Sequence, residues 1–215
     1  MDVLVAGGHG QIGLRLLKRL AGRGDTARGL IRNPDHAADL EAVGAVAVLC
    51  DLEREDPAPH VATADAVVFA AGAGPGSGPE RKRTVDYGGA VKLLEAAGAL
   101  GVARYVIVSS MGAEDPEGAP EAMRPYQRAK HDADEAVTQS GLAYTIVRPG
   151  HLTDDPGTGR VSAAPSLGRS GDIARDDVAD VLLAVLDTPT TAGLTFEVLE
   201  GDTPVAAAIA GLSAS

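Results

Sequence analysis

Val3-Leu4-Val5-Ala6-Gly7-Gly8-His9-Gly10-Gln11-Ile12-Gly13 holds two patterns that meet without a linker. Val3 to Ala6 is an apolar run with the length of one buried strand. From Ile12 onward, Leu16, Leu17 and Leu20 fall on one helical stripe, leaving Arg15, Lys18 and Arg19 on other faces. Gly7, Gly10 and Gly13 span the junction at intervals of three. A strand feeding such a turn and then a helix gathers free backbone N–H groups and the positive end of a helix dipole at one point, and that point binds phosphate. Gly7 permits the tight turn, Gly10 lets the backbone approach a pyrophosphate, and Gly13 lets the helix pack close against the strand. In a chain with 27 glycines the spacing says little by itself. Its place after a strand and at the head of a helix carries the argument.

Outward from that junction the chain alternates strand and helix. The first helix ends near Gly22 or Gly24, and a second strand runs from about Thr26 to Ile31. Asn33 suits an N-cap and Pro34 the first position of a helix reaching about Val43. Ala45 to Leu49 reads as the third strand, 56–63 as a short helix, and Ala66 to Ala70 as the fourth strand. Gly72-Ala73-Gly74-Pro75-Gly76-Ser77-Gly78-Pro79 reads as a mobile loop beside a ligand, because the alternation resumes after it. Ala90, Leu93, Leu94 and Ala97 mark a long helix, Arg104 to Ser109 the fifth strand, Tyr126 to Ser140 another helix and Ala143 to Val147 the sixth strand. Turn residues crowd 149–171 and predict turns with a hairpin covering a ligand. Val178, Val181, Leu182, Val185 and Leu186 mark a further helix, and Thr195 to Leu199 the last strand. The alternation predicts a single α/β domain over 1–215, a Rossmann-like doubly wound parallel sheet in three α/β/α layers, with 150–171 as a substrate-side loop region.

Composition narrows the function classes. The chain of 215 residues carries a net charge of -11, which disfavours nucleic acid as a partner because phosphate contacts need a basic face. There is no apolar run long enough for a membrane span and no signal-peptide pattern, so a cytoplasmic protein without a membrane partner is expected. The single Cys50 ends an apolar run and reads as a buried bystander thiol. The five histidines lie among acids at no ligand spacing, so no metal site is expected. Asp154, Asp155, Asp176 and Asp177 read as turn formers and first-turn helix acids. The helix from Ala90 to Leu100 leaves a second face that a homodimer would cover.

In a doubly wound sheet, four strand ends converge on one crevice: the glycine turn, Arg32, the loop after Ala70, and Ser109-Ser110. A fifth element, Tyr126-Gln127-Arg128-Ala129-Lys130, puts a tyrosine and a lysine on one helix face. A free phenol ionises near pH 10, too high for a base near neutrality, and an ammonium nearby favours the phenolate. His9, between two glycines of the turn, reads as a residue that tolerates an unusual backbone angle or touches phosphate.

On Gly7-Gly8-His9-Gly10-Gln11-Ile12-Gly13, Tyr105-Val106-Ile107-Val108-Ser109-Ser110, Tyr126-Gln127-Arg128-Ala129-Lys130 and Tyr144-Thr145-Ile146-Val147-Arg148-Pro149-Gly150-His151-Leu152-Thr153, the sequence resembles the short-chain dehydrogenase/reductase superfamily. The likeness is to its atypical, epimerase/dehydratase-like and NmrA-like small branch, and it covers nearly the whole chain. The resemblance implies Tyr126 as acid/base, Lys130 on the nicotinamide ribose, and Ser110, or failing it Ser109, on the substrate oxygen. Asp86 stands where fully active members carry an asparagine, and the atypical branch commonly has this aspartate. The resemblance also sets His9, Gln11 and Ile12 with the glycines at the phosphates, Asp51 and Leu52 at the adenine, Ala71 and Gly72 beside the ribose and pyrophosphate, and the backbone after Pro149, through His151 and Leu152, at the nicotinamide; His151 itself reads either as a substrate contact or as an exposed loop histidine. Members that take large sugars carry a C-terminal lobe not found in this sequence, so a small or loosely enclosed substrate is expected.

The end of the second strand bears on cofactor choice. Ala27-Arg28-Gly29-Leu30-Ile31-Arg32 offers no carboxylate for a ribose 2′-hydroxyl and two arginines instead, which predicts NADP(H) with Arg32 on the 2′-phosphate. The function expected from these features is NADP(H)-dependent reduction of a small carbonyl or quinone-like molecule. An epimerase and a non-catalytic NADP(H) sensor are the alternatives.

Overall fold

The computed structural model describes residues 1–74 and 76–212. Pro75, within the glycine-rich loop expected at 72–79, lies outside the described residues, as do residues 213–215. The strands are β1 (Asp2–Ala6), β2 (Thr26–Ile31), β3 (Val46–Leu49), β4 (Ala66–Phe69), β5 (Arg104–Val108), β6 (Tyr144–Pro149), β7 (His151–Thr153), β8 (Arg160–Ala164), β9 (Asp172–Ala174), β10 (Leu194–Glu200) and β11 (Thr203–Pro204). The helices are α1 (Gln11–Gly22), α2 (Ala37–Ala42), α3 (Ala58–Val61), α4 (Pro79–Arg81), α5 (Ala90–Ala99), α6 (Arg124–Gln139), α7 (Arg175–Asp187) and α8 (Val205–Ala210).

The main sheet runs β11-β8-β10-β6-β5-β4-β1-β2-β3. Its strands from β10 to β3 are all parallel, and β8 and β11 add an antiparallel edge beyond β10. Strand order reverses direction at β1, between β2 and β4, where the glycine turn leaves the sheet; such a switch point opens the crevice that takes ligands.

Both faces of the sheet are apolar because both are covered. Along β1 the side chains alternate: Val3 and Val5 join a core with α1 and α7, and Leu4 and Ala6 join another with α5 and α6. Leu16, Leu17 and Leu20 of α1 are fully buried, each contributing roughly 1.5–3 kcal/mol of transfer free energy. The expected stripe Ala90, Leu93, Leu94 and Ala97 is buried as well. Asn33 caps as expected, its Oδ1 accepting from the Asp35 amide at 3.1 Å, but the turn it starts is a 3₁₀ segment, Pro34–His36, ahead of α2.

Two expectations need correction. The hairpin over 149–171 does not form: β7 pairs with β9 in parallel, and β8 joins the main sheet antiparallel to β10. Turn residues bound the strands correctly, but pairing partners for so short a strand come from distant segments. The helix before β5 is not uniformly α: α4 passes into a π-helical stretch, Lys82–Gly89, and then into α5. A wider turn of this kind often marks a functional site.

Candidate functional site

The glycine turn is held by three backbone bonds: Gly8 N–H to Leu30 O at 3.0 Å, Gly10 N–H to Gly7 O at 2.8 Å, and Leu14 N–H to Gly10 O at 2.9 Å. The last is the first bond into α1, so the amides of Gln11, Ile12 and Gly13 have no intrahelical acceptor and face the turn. Gly7 has φ +81°, and a Cβ on Gly13 would lie 2.2 Å from Gly7 O. A glycine that the motif leaves unassigned, Gly8, has its own reason: a Cβ there would lie 2.7 Å from the Cα of Gly29 on β2. Beyond the turn opens a cavity of about 280 Å³ whose walls include Gly7, Gly10, Arg32, Asp51, Leu52 and Ala71. Free amides, a helix N-terminus and a cavity running to the ends of β2 and β3 fit a dinucleotide.

At the far end of the cavity, Arg32 is exposed and its Nη1 lies 3.7 Å from Glu53 Oε2. Arg81 reaches the same oxygen at 3.4 Å, and Thr84 donates its hydroxyl to Oε1 at 2.6 Å. Arg81 and Glu53 were not legible as site residues, because only the fold brings the loop after β3 against α4. Asp51 turns its carboxylate to its own loop, accepting from the Glu53 amide at 3.0 Å. Cys50 is buried, and burial pushes its thiol up from its ordinary pKa.

His9 lines the cavity, but the unusual backbone angle expected of it is absent. No residue other than glycine has positive φ among the described residues, so His9 occupies ordinary backbone. Its ring stacks on His36 with centroids 3.6 Å apart, and its Nε2 lies 2.8 Å from Asp39 Oδ2. The ties run from the turn to the 3₁₀ segment and to α2, contacts between residues 27 and 30 apart that the sequence does not signal.

The other half of the crevice gathers Asp86, Tyr126 and Lys130. Lys130 is 4% exposed and Asp86 2%, with Nζ 3.5 Å from Oδ1. Lys130 also donates to Val108 O at 3.0 Å and sits 5.8 Å from the centre of the Tyr126 ring. Asp86 Oδ2 accepts from the Ala73 amide at 3.0 Å, which ties the loop after β4 to the π-helical stretch. A Cβ on Gly72 would lie 3.0 Å from Asp86 Oδ1. Tyr126, half-buried, has no hydrogen-bond partner among the described residues, and a second ammonium, that of Lys82, stands 5.3 Å from its ring centre.

The two serines part company. Ser109 is buried and donates to Asp134 Oδ2 at 2.9 Å, an oxygen also held by Arg148 Nε at 3.0 Å. Burial pushes the Asp134 carboxyl above its ordinary pKa, against the pull of Arg148 and Ser109. Ser110 is half-buried; its hydroxyl donates to Met111 O at 3.1 Å and meets Gln127 Nε2 at 3.5 Å. Of the remaining residues, Pro149 ends β6 buried, whereas His151 is exposed and faces Asp172 Oδ1 at 3.1 Å. Leu152 is half-buried against the core, Ile12 is part of it, and the Gln11 side chain turns to Arg15. Gln11 and Ile12 therefore reach the crevice by their amides alone. No cluster of metal-ligating side chains exists among the described residues, nor any helix long and apolar enough to cross a membrane.

The profile of a family described as NAD(P)H-binding matches residues 7–189. The chain belongs to that family. Among its relatives is the uncharacterized sugar epimerase YhfK of Bacillus subtilis, 44% identical over 212 residues that cover 97% of this chain and 99% of that protein. The structure of a candidate NAD-dependent epimerase/dehydratase from Bacillus halodurans superposes with a TM-score of 0.95 at 41% identity, covering 99% of this chain and all of the other. The oxidoreductase ylbE of Lactococcus lactis follows with a TM-score of 0.86 at 27% identity, covering 97% of this chain and 95% of the other. The family is thus one of nicotinamide-cofactor proteins with oxidoreductase and epimerase-like members.

Proposed function

We propose that the protein is an NADP(H)-dependent oxidoreductase acting on a small carbonyl or quinone-like substrate. The observation that carries the proposal is the Tyr126 hydroxyl, without a hydrogen-bond partner among the described residues and flanked by the buried Lys130–Asp86 pair. When bound, the cofactor supplies or accepts hydride. Gly7, Gly10 and Gly13 with the free amides of α1 hold its pyrophosphate, and Arg32 holds a 2′-phosphate. Glu53 tempers that charge, but with Arg81 it faces two guanidinium groups, so the patch keeps a net positive charge.

Tyr126 exchanges the proton of the substrate oxygen. The Lys130 ammonium stands 5.8 Å from the centre of the Tyr126 ring, and Asp86 holds that ammonium in place. Ser110 rotates its hydroxyl from Met111 O to the substrate oxygen as negative charge develops there. Gln127, bonded to Met111 O at 3.0 Å, keeps the serine loop against α6. Ser109 is the weaker candidate for this role because its hydroxyl is committed to Asp134. A second reading, epimerisation by oxidation and re-reduction in place, is favoured by the 44% identity to a protein called a sugar epimerase.

The test is NADPH oxidation against quinones, aldehydes and ketones with Tyr126→Phe alongside. Loss of general acid–base help costs on the order of 10²–10⁴ in rate, so the variant is expected to lose turnover while binding NADPH as the wild type does. Tight NADPH binding without turnover on any carbonyl compound would refute the reductase reading.

A further inference from the structure

The ammonium of Lys82 has no part in the scheme above. It stands 5.3 Å from the centre of the Tyr126 ring, on the first residue of the π-helical stretch, and is half-buried. Its neighbours in the chain are satisfied: Arg81 pairs with Glu53 and Arg83 with Asp132. Lys130, the other cation at the ring, pairs with Asp86. Lys82 alone of these four has no carboxylate within ion-pairing distance among the described residues, in a chain with 30 acidic residues against 19 basic ones. Asp86, one turn along the same stretch, is committed to Lys130 and Ala73, and Asp132 on α6 to Arg83.

A cation partly withdrawn from water without a counter-charge is costly unless a ligand supplies one. We propose that Lys82 is the anion-binding residue of the substrate site, so that the substrate taken beside Tyr126 carries a carboxylate or phosphate group. The inference rests on Tyr126 facing the substrate. In a chain that is acidic overall, an ammonium at the ring with no carboxylate partner among the described residues selects an anion and sets its carbonyl at a defined distance from the phenol. A contact between ammonium and ring face that serves packing alone is the competing explanation.

Calorimetric titration of the NADPH-loaded protein with benzoate, phenyl phosphate and neutral benzamide separates the two. At least one anion is expected to bind tenfold or more tightly than benzamide, and to weaken as salt is raised. Lys82→Gln is expected to lose that preference by about ten- to hundredfold, the range for a charge-assisted contact, and Lys82→Arg to restore most of it. NADPH affinity is expected to stay within about twofold in both variants, as befits a residue outside the cofactor cavity. Anions binding no better than benzamide, or a Gln variant that binds them as the wild type does, overturns the proposal. So does a Gln variant that loses NADPH, which would make Lys82 a cofactor residue. Should Lys82→Gln fail to fold, anion binding to the wild type that ignores salt overturns it equally. Failure of the wild type to reduce any carbonyl compound would sink the reductase reading and leave this titration to judge Lys82 by itself.

Discussion

Replacing Gly13 by alanine tests the glycine turn most directly. The added Cβ would lie 2.2 Å from Gly7 O, 3.0 Å from Gly7 C and 3.3 Å from Gly8 Cα, all backbone atoms that no rotamer change can move. Gly7 O also accepts the Gly10 amide, so displacing it opens the turn that presents the free amides of α1. Overpacking of this kind costs about 1–3 kcal/mol, which in a domain of this size lowers the melting temperature by roughly 3–10 °C. NADPH affinity should fall further than stability, because the displaced atoms build the anion site itself. Gly22, at the end of the same helix, is the internal control: a Cβ there meets nothing within 4 Å and its φ is not positive. Gly22→Ala should be neutral or stabilise by up to about 1 kcal/mol through the unfolded chain's lost freedom. Differential scanning fluorimetry and NADPH fluorescence titration read both quantities. A Gly13→Ala protein as stable as Gly22→Ala, with unchanged NADPH affinity, would refute the close approach of α1 to the turn and the pyrophosphate assignment with it.

Arg32→Ala should weaken NADPH binding about tenfold or more, the worth of a charge-assisted contact, and leave NADH within about twofold; equal losses for the two cofactors would remove Arg32 from the 2′-phosphate. Glu53→Gln, by freeing Arg32 and Arg81, should tighten NADPH and not NADH in the same titration. Arg104 is buried without a carboxylate partner among the described residues, burial lowering its pKa to about 10, and it donates to Ala143 O and Thr191 Oγ1. Arg104→Ala should cost about 2–4 kcal/mol in urea unfolding by leaving acceptors and a void, and Arg104→Met, which fills the void without a charge, visibly less. At Asp25, burial works to raise the carboxyl, but bonds from the N-terminus and Arg23 outweigh it and hold it below the usual range. Its stabilising share is present above the unfolded value of about 3.9 and lost as pH falls through the lower folded one. Asp25→Asn should therefore show a shallower fall in melting temperature on acidification below about pH 4, and an unchanged slope would contradict the assignment.

Much of the fold was legible because its signals are local. Apolar runs of strand length, helical stripes such as Leu16-Leu17-Leu20 and glycines at fixed offsets depend on residues within one turn or one strand, and the parallel sheet with covered faces follows from their alternation. The dinucleotide turn, the pairing of Tyr126 with Lys130 on one helix face and the buried Cys50 belong to the same class. What stayed hidden depends on contacts between segments far apart in the chain. The meeting of Arg32 and Arg81 at Glu53, the stacking of His9 on His36, and the commitment of Ser109 to Asp134 all need the sheet assembled first. The pairing of β7 with β9 and of β8 with β10 is of the same kind, since short strands carry too little pattern to name a partner. Local periodicity set the elements and their order, whereas which charges stand free at Tyr126 and which are neutralised was decided by the packing of α6 against the π-helical stretch, because Coulomb and hydrogen-bond partners are chosen by distance in space and not along the chain.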